Sequence, residues 1–185
     1  MKRSAGILAW RRRAGTIELF LAHPGGPFWR SKDLGAWSIP KGEINPDEEP
    51  LSAARREFLE EIGQPIDGDF VPLDPVRIAS GKQIVAWAIE HDLDASTVSS
   101  ISFEMEWPPR SGKKQSFPEV DRAAWFPGPL ALQKITPGQL PLLVQLLERL
   151  GAPIPPPALS SIAPSRPRRS RRPPTAPRRR APGPR

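Results

Sequence analysis

The stretch GEINPDEEPLSAARREFLEEIG, residues 42–63, carries the pattern that decides the fold. Between Pro50 and Ile62, the apolar residues Leu51, Ala54, Phe58 and Ile62 recur at three- and four-residue steps, which predicts a helix with one buried face. Asp47 or Glu48 begins it with negative charge, favourable at a helix N-terminus. Gly63 stands where a left-handed C-cap belongs. The opposite face carries Glu57, Glu60 and Glu61, which a helical rotation of about 100° per residue gathers within about one third of the circumference. Carboxylates so spaced repel one another. Arg56, four residues before Glu60, can pair with it, but one arginine does not balance three glutamates. A hard divalent cation with oxygen ligands would. The plain alternative is a solvated acidic face, a common feature of surface helices.

Upstream residues change that weighting. From Gly42 the chain reads Gly42-x5-Glu48-x7-Arg56-Glu57-Phe58-x-Glu60-Glu61-x-Gly63. This resembles the signature of the Nudix hydrolases, Gly-x5-Glu-x7-Arg-Glu-U-x-Glu-Glu-x-Gly-U, where U is a bulky apolar residue. Eight of the nine specified positions match, and every acidic position is intact. The departure is the last, where Gln64, followed by Pro65, replaces an apolar residue. Just ahead, Trp37-Ser38-Ile39-Pro40-Lys41-Gly42 is similar to the Trp-x-x-Pro-Lys-Gly lead-in of the branch that cleaves dinucleoside polyphosphates. The resemblance spans roughly residues 3–150. It implies an α+β fold: an α/β/α sandwich of Nudix type around a mixed β-sheet.

The resemblance also implies roles. Glu57, Glu60 and Glu61 match metal-ligand positions for Mg2+, with Mn2+ as a substitute; Glu48 matches a position that supports the loop or meets a further metal, and Arg56 orients the glutamates. Family members differ in which glutamate deprotonates water; Glu57 is the first candidate, a distal carboxylate the alternative. Many members add a metal-binding acid before the last strand, for which Glu119 is best placed, with Glu104 and Glu106 behind it. An exposed loop acid is the plain reading of Glu119.

The residues make chemical sense on their own terms. Hydrolysing a pyrophosphate linkage requires charge neutralisation, a positioned water and a stabilised leaving phosphate. Magnesium held by carboxylates supplies the first and activates the second. Gly42 permits close backbone approach, so a carbonyl of the expected Lys41-Gly42 turn can act as one more oxygen ligand. Lys41, beside that turn, is the first candidate for a polyphosphate contact; Arg77, Lys82, Lys113 and Lys114 are further candidates, whose plain reading is a solvated surface charge. Trp29 and Phe28, after Gly25-Gly26-Pro27, can stack on a nucleobase or pack on the core. Ser111-Gly112-Lys113-Lys114 lacks the glycine spacing of a Walker loop.

Elsewhere in residues 1–151 the signals are strand-like. Ala5–Trp10 and Ile17–Ala22, about the turn Arg11–Gly15, read as a hairpin, and His23-Pro24-Gly25-Gly26-Pro27 as a break no central strand tolerates. Trp37–Ile39 reads as a short extended piece; Ile84–Ile89, Ser102–Trp107 and Ala123–Phe126 read as strands, and Gln139–Leu150 as an amphipathic helix.

Composition sets the outer bounds. The 185 residues carry 27 basic and 20 acidic side chains, but residues 152–185 hold nine of the arginines, eleven of the prolines and no acid. Without them, 18 basic residues face 20 acidic ones, so residues 1–151 form a mildly acidic domain and the rest is expected to be a disordered Pro/Arg-rich tail. That tail is either a plain solvated appendage or an arm for weak, salt-sensitive contact with nucleic acid. With no cysteine there is no disulfide and no thiolate metal site, and His23 and His91 are too few for a histidine-rich one. No apolar run approaches the ~20 residues of a membrane span, so the expected setting is cytoplasmic.

Three functions follow. The first is a magnesium-dependent pyrophosphohydrolase of a nucleoside diphosphate-linked substrate, foremost a diadenosine polyphosphate. The second acts on nucleoside triphosphates or RNA 5′ ends. The third is a nucleotide-binding module that has lost catalysis, against which the intact glutamates argue.

Overall fold

The structure, a computed structural model, describes residues 2–156. Beyond residue 156, the expected tail lies outside the described residues. The tail's first described positions still touch the domain: the Ala152 N–H donates to the Leu147 carbonyl at 2.9 Å, and Ala152 and Ile154 pack on the core.

Strands β1 (Arg3–Arg13) and β2 (Thr16–Pro24) form the expected hairpin. Its turn residues Ala14 and Gly15 both take positive φ, 47° and 80°, as a tight turn between right-twisted strands demands. The strand β2 runs through His23 to Pro24, beyond the expected break. Pro24 is its last residue, at a register shift against its neighbour, so the missing N–H lies at the end of the ladder. His23 is fully buried, and its ring nitrogens meet Asp121 Oδ1 at 2.9 Å and the Lys32 carbonyl at 2.7 Å.

The remaining main-sheet strands are β3 (Lys41–Glu43), β4 (Val71–Arg77), β5 (Gln83–Glu90) and β8 (Val120–Pro127). Strand order is β4-β5-β1-β2-β8, with β3 added to the start of β1; β5 is parallel to β1 and the other pairs are antiparallel. Pro72 and Pro75 conceal β4 in the sequence, yet at the sheet edge a missing N–H is tolerated. Strands β6 (Ser102–Glu106) and β7 (Lys114–Pro118) pair only with each other, as an arm beside the sheet.

Helices cover both faces. Along β1, Ala5, Ile7 and Ala9 face α1 (Pro50–Ile62), where Ala54, Phe58 and Ile62 are buried as the helical period requires. Leu8, Leu19, Leu21 and Ile84 belong to the opposite core, under α2 (Gly128–Lys134) and α3 (Leu140–Arg149). The result is the expected α/β/α sandwich around a mixed sheet. Side chains of α3 also finish the edge strand. Gln145 exchanges hydrogen bonds with the Asp74 backbone at 2.7 and 3.2 Å, and Arg149 Nη1 donates to the Pro72 carbonyl at 2.7 Å.

One seam positions the site. At its start β1 pairs with β3, and only from Trp10 onward with β2. The gap between them is filled by residues 36–40. Ser38 exchanges two 2.9 Å backbone bonds with Ala22 of β2, and the Ile7 N–H of β1 donates to the Pro40 carbonyl at 3.0 Å. From below, the buried Gln139 accepts from the Ile39 N–H at 3.0 Å and donates to Ser38 Oγ at 3.0 Å. Gln139→Ala strands that N–H without water, so urea denaturation is expected to show a loss of about 1–3 kcal/mol.

Candidate active site

Lys41 and Gly42, expected in a turn, are residues of β3, lying opposite Gly6 and Ala5 of β1. This strand lies against α1. A Cβ built on Gly42 would stand 1.8 Å from Glu57 Oε2, so only glycine lets that carboxylate rest on the strand. The loop between them is short and braced. Asn45 N–H donates to Glu48 Oε2 at 2.9 Å, and Asp47 takes a left-handed φ of 61°. The helix cap is Glu49, one residue later than expected: its carboxylate accepts from the Ser52 N–H at 2.8 Å, and Pro50 opens the helix. At the other end Gly63 takes φ 77°, the expected left-handed cap, and a Cβ there would meet the Ser99 carbonyl at 2.6 Å.

Arg56 is the hub. Its Nε and Nη2 grip Glu48 in a fork at 2.8 and 2.9 Å, and Nη2 also donates to the Glu43 carbonyl at 3.0 Å. Its Nη1 donates to Glu57 Oε1 at 2.7 Å and, more weakly, to Glu60 at 3.3 Å. The main partners are therefore Glu48 and Glu57, rather than Glu60 as spacing along the helix suggests. This grip holds the Glu48 carboxyl down at about 2, with the Asn45 N–H adding to it, and raises the Arg56 pKa.

Two carboxyls have the opposite environment. Glu61 is withdrawn from water, which pushes it up to about 7; the Lys41 ammonium and the 3.0 Å bond from the Lys41 N–H oppose that, while Glu57 and Glu119 add to it. Glu119 is raised by its own burial and by Glu57 and Glu60, with Lys41 opposing. So Glu119, far along the chain, stands within electrostatic reach of the helix glutamates. It is carried there by its backbone, whose N–H donates to Ile101 and whose carbonyl accepts from Gly25, both at 2.9 Å. Ile101 in turn donates to the Glu60 carbonyl at 2.9 Å, tying the arm's base to α1.

Among the described residues, no three acidic or histidine side chains form a finished metal-binding cluster. Arg56 and the Lys41 N–H occupy some of the oxygens instead. The donor set still has the chemistry of a hard-cation site: all its side-chain donors are carboxylate oxygens, and burial and mutual repulsion hold Glu61 and Glu119 above the usual range.

The other candidates lie elsewhere. Glu104 and Glu106 are exposed on the arm, where Glu106 accepts from the Gly112 N–H at 2.8 Å; Lys113 and Lys114 are exposed at its tip. Lys82 lies 3.9 Å from Glu43. Trp29 packs partly against the α2/α3-side core, with the Lys32 ammonium 4.5 Å from its ring centre. Phe28 is exposed and meets Trp107 edge-on at 5.3 Å.

Compared with known proteins, residues 2–146 match the family model of the NUDIX domain. The chain belongs to the Nudix family. Solved structures agree at the level of the fold. A Caenorhabditis elegans Ap4A hydrolase binary complex superposes with a TM-score of 0.59 at 21% identity, covering 82% of this chain and 98% of that one. The NUDIX domain of Shewanella oneidensis NrtR, complexed with ADP ribose, gives 0.56 at 19% identity over 80% of this chain and 87% of that one. The Escherichia coli ORF135 protein gives 0.52 at 25% identity over 83% and 95%. This Nudix protein is thus a hydrolase of phosphoric anhydrides. Among its described residues no helix is long and apolar enough to cross a membrane.

In this Nudix domain the seam that holds Lys41 has no local signature. Gln139 and Ser38 are about a hundred residues apart, and nothing in either neighbourhood announces their pairing. For Arg56→Lys, losing the forked grip on Glu48 is expected to lower Tm by several degrees, with kcat falling about tenfold or more as Glu57 loses its anchor.

Proposed function

We propose that this Nudix protein is a magnesium-dependent pyrophosphohydrolase of dinucleoside polyphosphates, diadenosine polyphosphate foremost. The observation that carries the reading is the Glu57 carboxylate seated on Gly42, with Glu61 and Glu119 within its electrostatic reach and Glu60 within reach of Glu119. The Trp37-x-x-Pro40-Lys41-Gly42 lead-in and the fold shared with an Ap4A hydrolase support the substrate class.

In this reading Glu57, Glu60, Glu61, Glu119 and the Gly42 carbonyl would hold Mg2+, or Mn2+ in its place, and the chemistry supplied there would be neutralisation of phosphate charge and acidification of water. Glu57, fixed by Arg56, accepts the proton of the water whose oxygen attacks phosphorus. The P–O bond to the leaving phosphate breaks, and Lys41, close enough to pull on Glu61 and Glu119, offsets the charge left on it. Arg56 and Glu48 keep the loop and helix in register. Trp29, partly packed against the core, is a candidate for a base contact with what remains of its ring.

Turnover against a panel tests the reading: diadenosine polyphosphates, nucleoside triphosphates, sugar nucleotides and triphosphorylated RNA, each with and without magnesium. Cleavage of the dinucleotides above the rest, lost without magnesium, is expected. Preference for triphosphates or RNA ends would replace the substrate class, and nucleotide binding without turnover would leave a binding module. Metal binding has its own readout. Millimolar Mg2+ is expected to raise the Tm of the native protein by several degrees and that of Glu57→Gln much less.

A further inference from the structure

The arm has no part in the chemistry described so far, yet it forms one wall of a cleft. Along β6 the side chains alternate, leaving Phe103, Met105 and Trp107 on the half-covered side and Glu104 and Glu106 in water. Phe117 of β7 pairs across from Phe103, on the same side. This aromatic side faces the loop that follows β2. Between them lies a cleft of about 490 Å³, whose lining includes Trp107, Phe117, Gln115, Arg30, Pro118 and Asp121. That volume suits a nucleoside, since small-molecule sites run to about 300–1,000 Å³.

The composition suits a nucleoside too. Two aromatic rings give flat apolar faces, and polar groups stand at the edges. Asp121 accepts from His23 and Arg122 but retains further lone pairs, which suit the amino edge of a base; Arg30 supplies a cation for phosphate. The Trp107 backbone is held at both ends, its N–H donating to the Lys113 carbonyl at 2.9 Å and its carbonyl accepting from Gln115 Nε2 at 3.2 Å. Phe28, itself 55% exposed, buttresses its ring edge-on.

Position completes the argument. Pro118 lines the cleft and the next residue, Glu119, belongs to the carboxylate cluster; adjacent Cα atoms are about 3.8 Å apart. The cleft thus ends one residue from the carboxylate cluster, within the reach of a nucleotide's phosphates. We propose that the cleft between the β6–β7 arm and the Gly25–Arg30 loop is the nucleobase site, taking an amino-bearing purine of the substrate by stacking on Trp107 and Phe117. The proposal rests on the hydrolase reading for its orientation, but base binding can be measured without catalysis.

The test uses the full chain. Tryptophan indole N–H resonances are followed while AMP, which has no anhydride to cleave, or ribose 5-phosphate is added, with Trp107→Phe assigning the signal. AMP is expected to shift the Trp107 resonance saturably and ribose 5-phosphate to leave it in place. In kinetics, Trp107→Leu is expected to raise KM for the dinucleotide about tenfold or more, well beyond its effect on kcat, while inhibition by base-free tripolyphosphate stays at its native strength. An AMP response at Trp29 instead of Trp107, or none, overturns the site. Turnover with native KM in Trp107→Leu removes the site and leaves the hydrolase reading standing. AMP binding at Trp107 with no turnover of any nucleotide keeps the site and removes the hydrolase reading.

Discussion

Glu61→Gln is expected to cut dinucleotide turnover by about 10²–10⁴-fold while making the metal-free protein more stable. The two effects have one cause. Glu61 is withdrawn from water and stands in the field of Glu57 and Glu119, so its ionised form is costly unless a cation lies nearby. Its carboxyl is pushed up to about 7 from the usual 4.5. The sign follows from linkage. A carboxyl with a raised folded-state pKa stabilises the fold least when ionised, so its contribution is intact below pH 4.5, falls as pH rises from 4.5 to 7, and is flat above. Over that window metal-free native protein is expected to lose about 3 kcal/mol from this group, an order-of-magnitude figure. The glutamine, which keeps the shape and accepts from the Lys41 N–H, removes that slope. Denaturant titrations from pH 4 to 8, with EDTA, check this. A variant as inactive as expected but less stable at pH 7.5 would show that Glu61 is a structural acid rather than one waiting for a cation.

Gly42→Ala is expected to be nearly as damaging to activity, about 10²-fold or more, although it adds only a methyl group. The new Cβ would fall 1.8 Å from Glu57 Oε2 and 2.0 Å from its Cδ, so the carboxylate or β3 must move. Neither moves freely. The strand is paired with β1, Gly42 lying opposite Ala5, and the carboxylate is anchored by Arg56 at 2.7 Å. A second substitution isolates the cause. Glu57→Ala removes the obstructing group, so Gly42→Ala is expected to lower Tm in the native background and to have little effect in the Glu57→Ala background. Equal losses of Tm in both backgrounds would mean that Gly42 is needed for β3 itself and not for the seating of Glu57.

Both predictions concern residues that stand out in the amino-acid sequence, because their information is local. A helix face is a matter of 3.6-residue periodicity, and Glu57, Glu60, Glu61 and Arg56 share one by spacing alone. The Gly63 cap and the β1–β2 turn are likewise encoded where they occur. Even so, local spacing misdirects Arg56 toward Glu60. The loop folds Glu48 back onto the helix, and a two-pronged grip on one carboxylate outcompetes the i,i+4 pair.

What the sequence determined by itself, then, is the glutamate-bearing helix, the glycine ahead of it, the hairpin and the family to which the chain belongs. Each is written in neighbouring residues or a fixed short spacing. Only the tertiary structure decided that Lys41 and Gly42 form a strand rather than a turn, that Gln139 pins that strand's lead-in, that Glu119 reaches the helix glutamates, and that the proline-bearing β4 holds the sheet edge. It also decided that Trp107 and Phe117 face Arg30 across a cleft. These are meetings of groups from 20 to about 100 residues apart. Burial and hydrogen bonding select them over the whole chain at once, and a short window of sequence carries no trace of a partner that lies outside it.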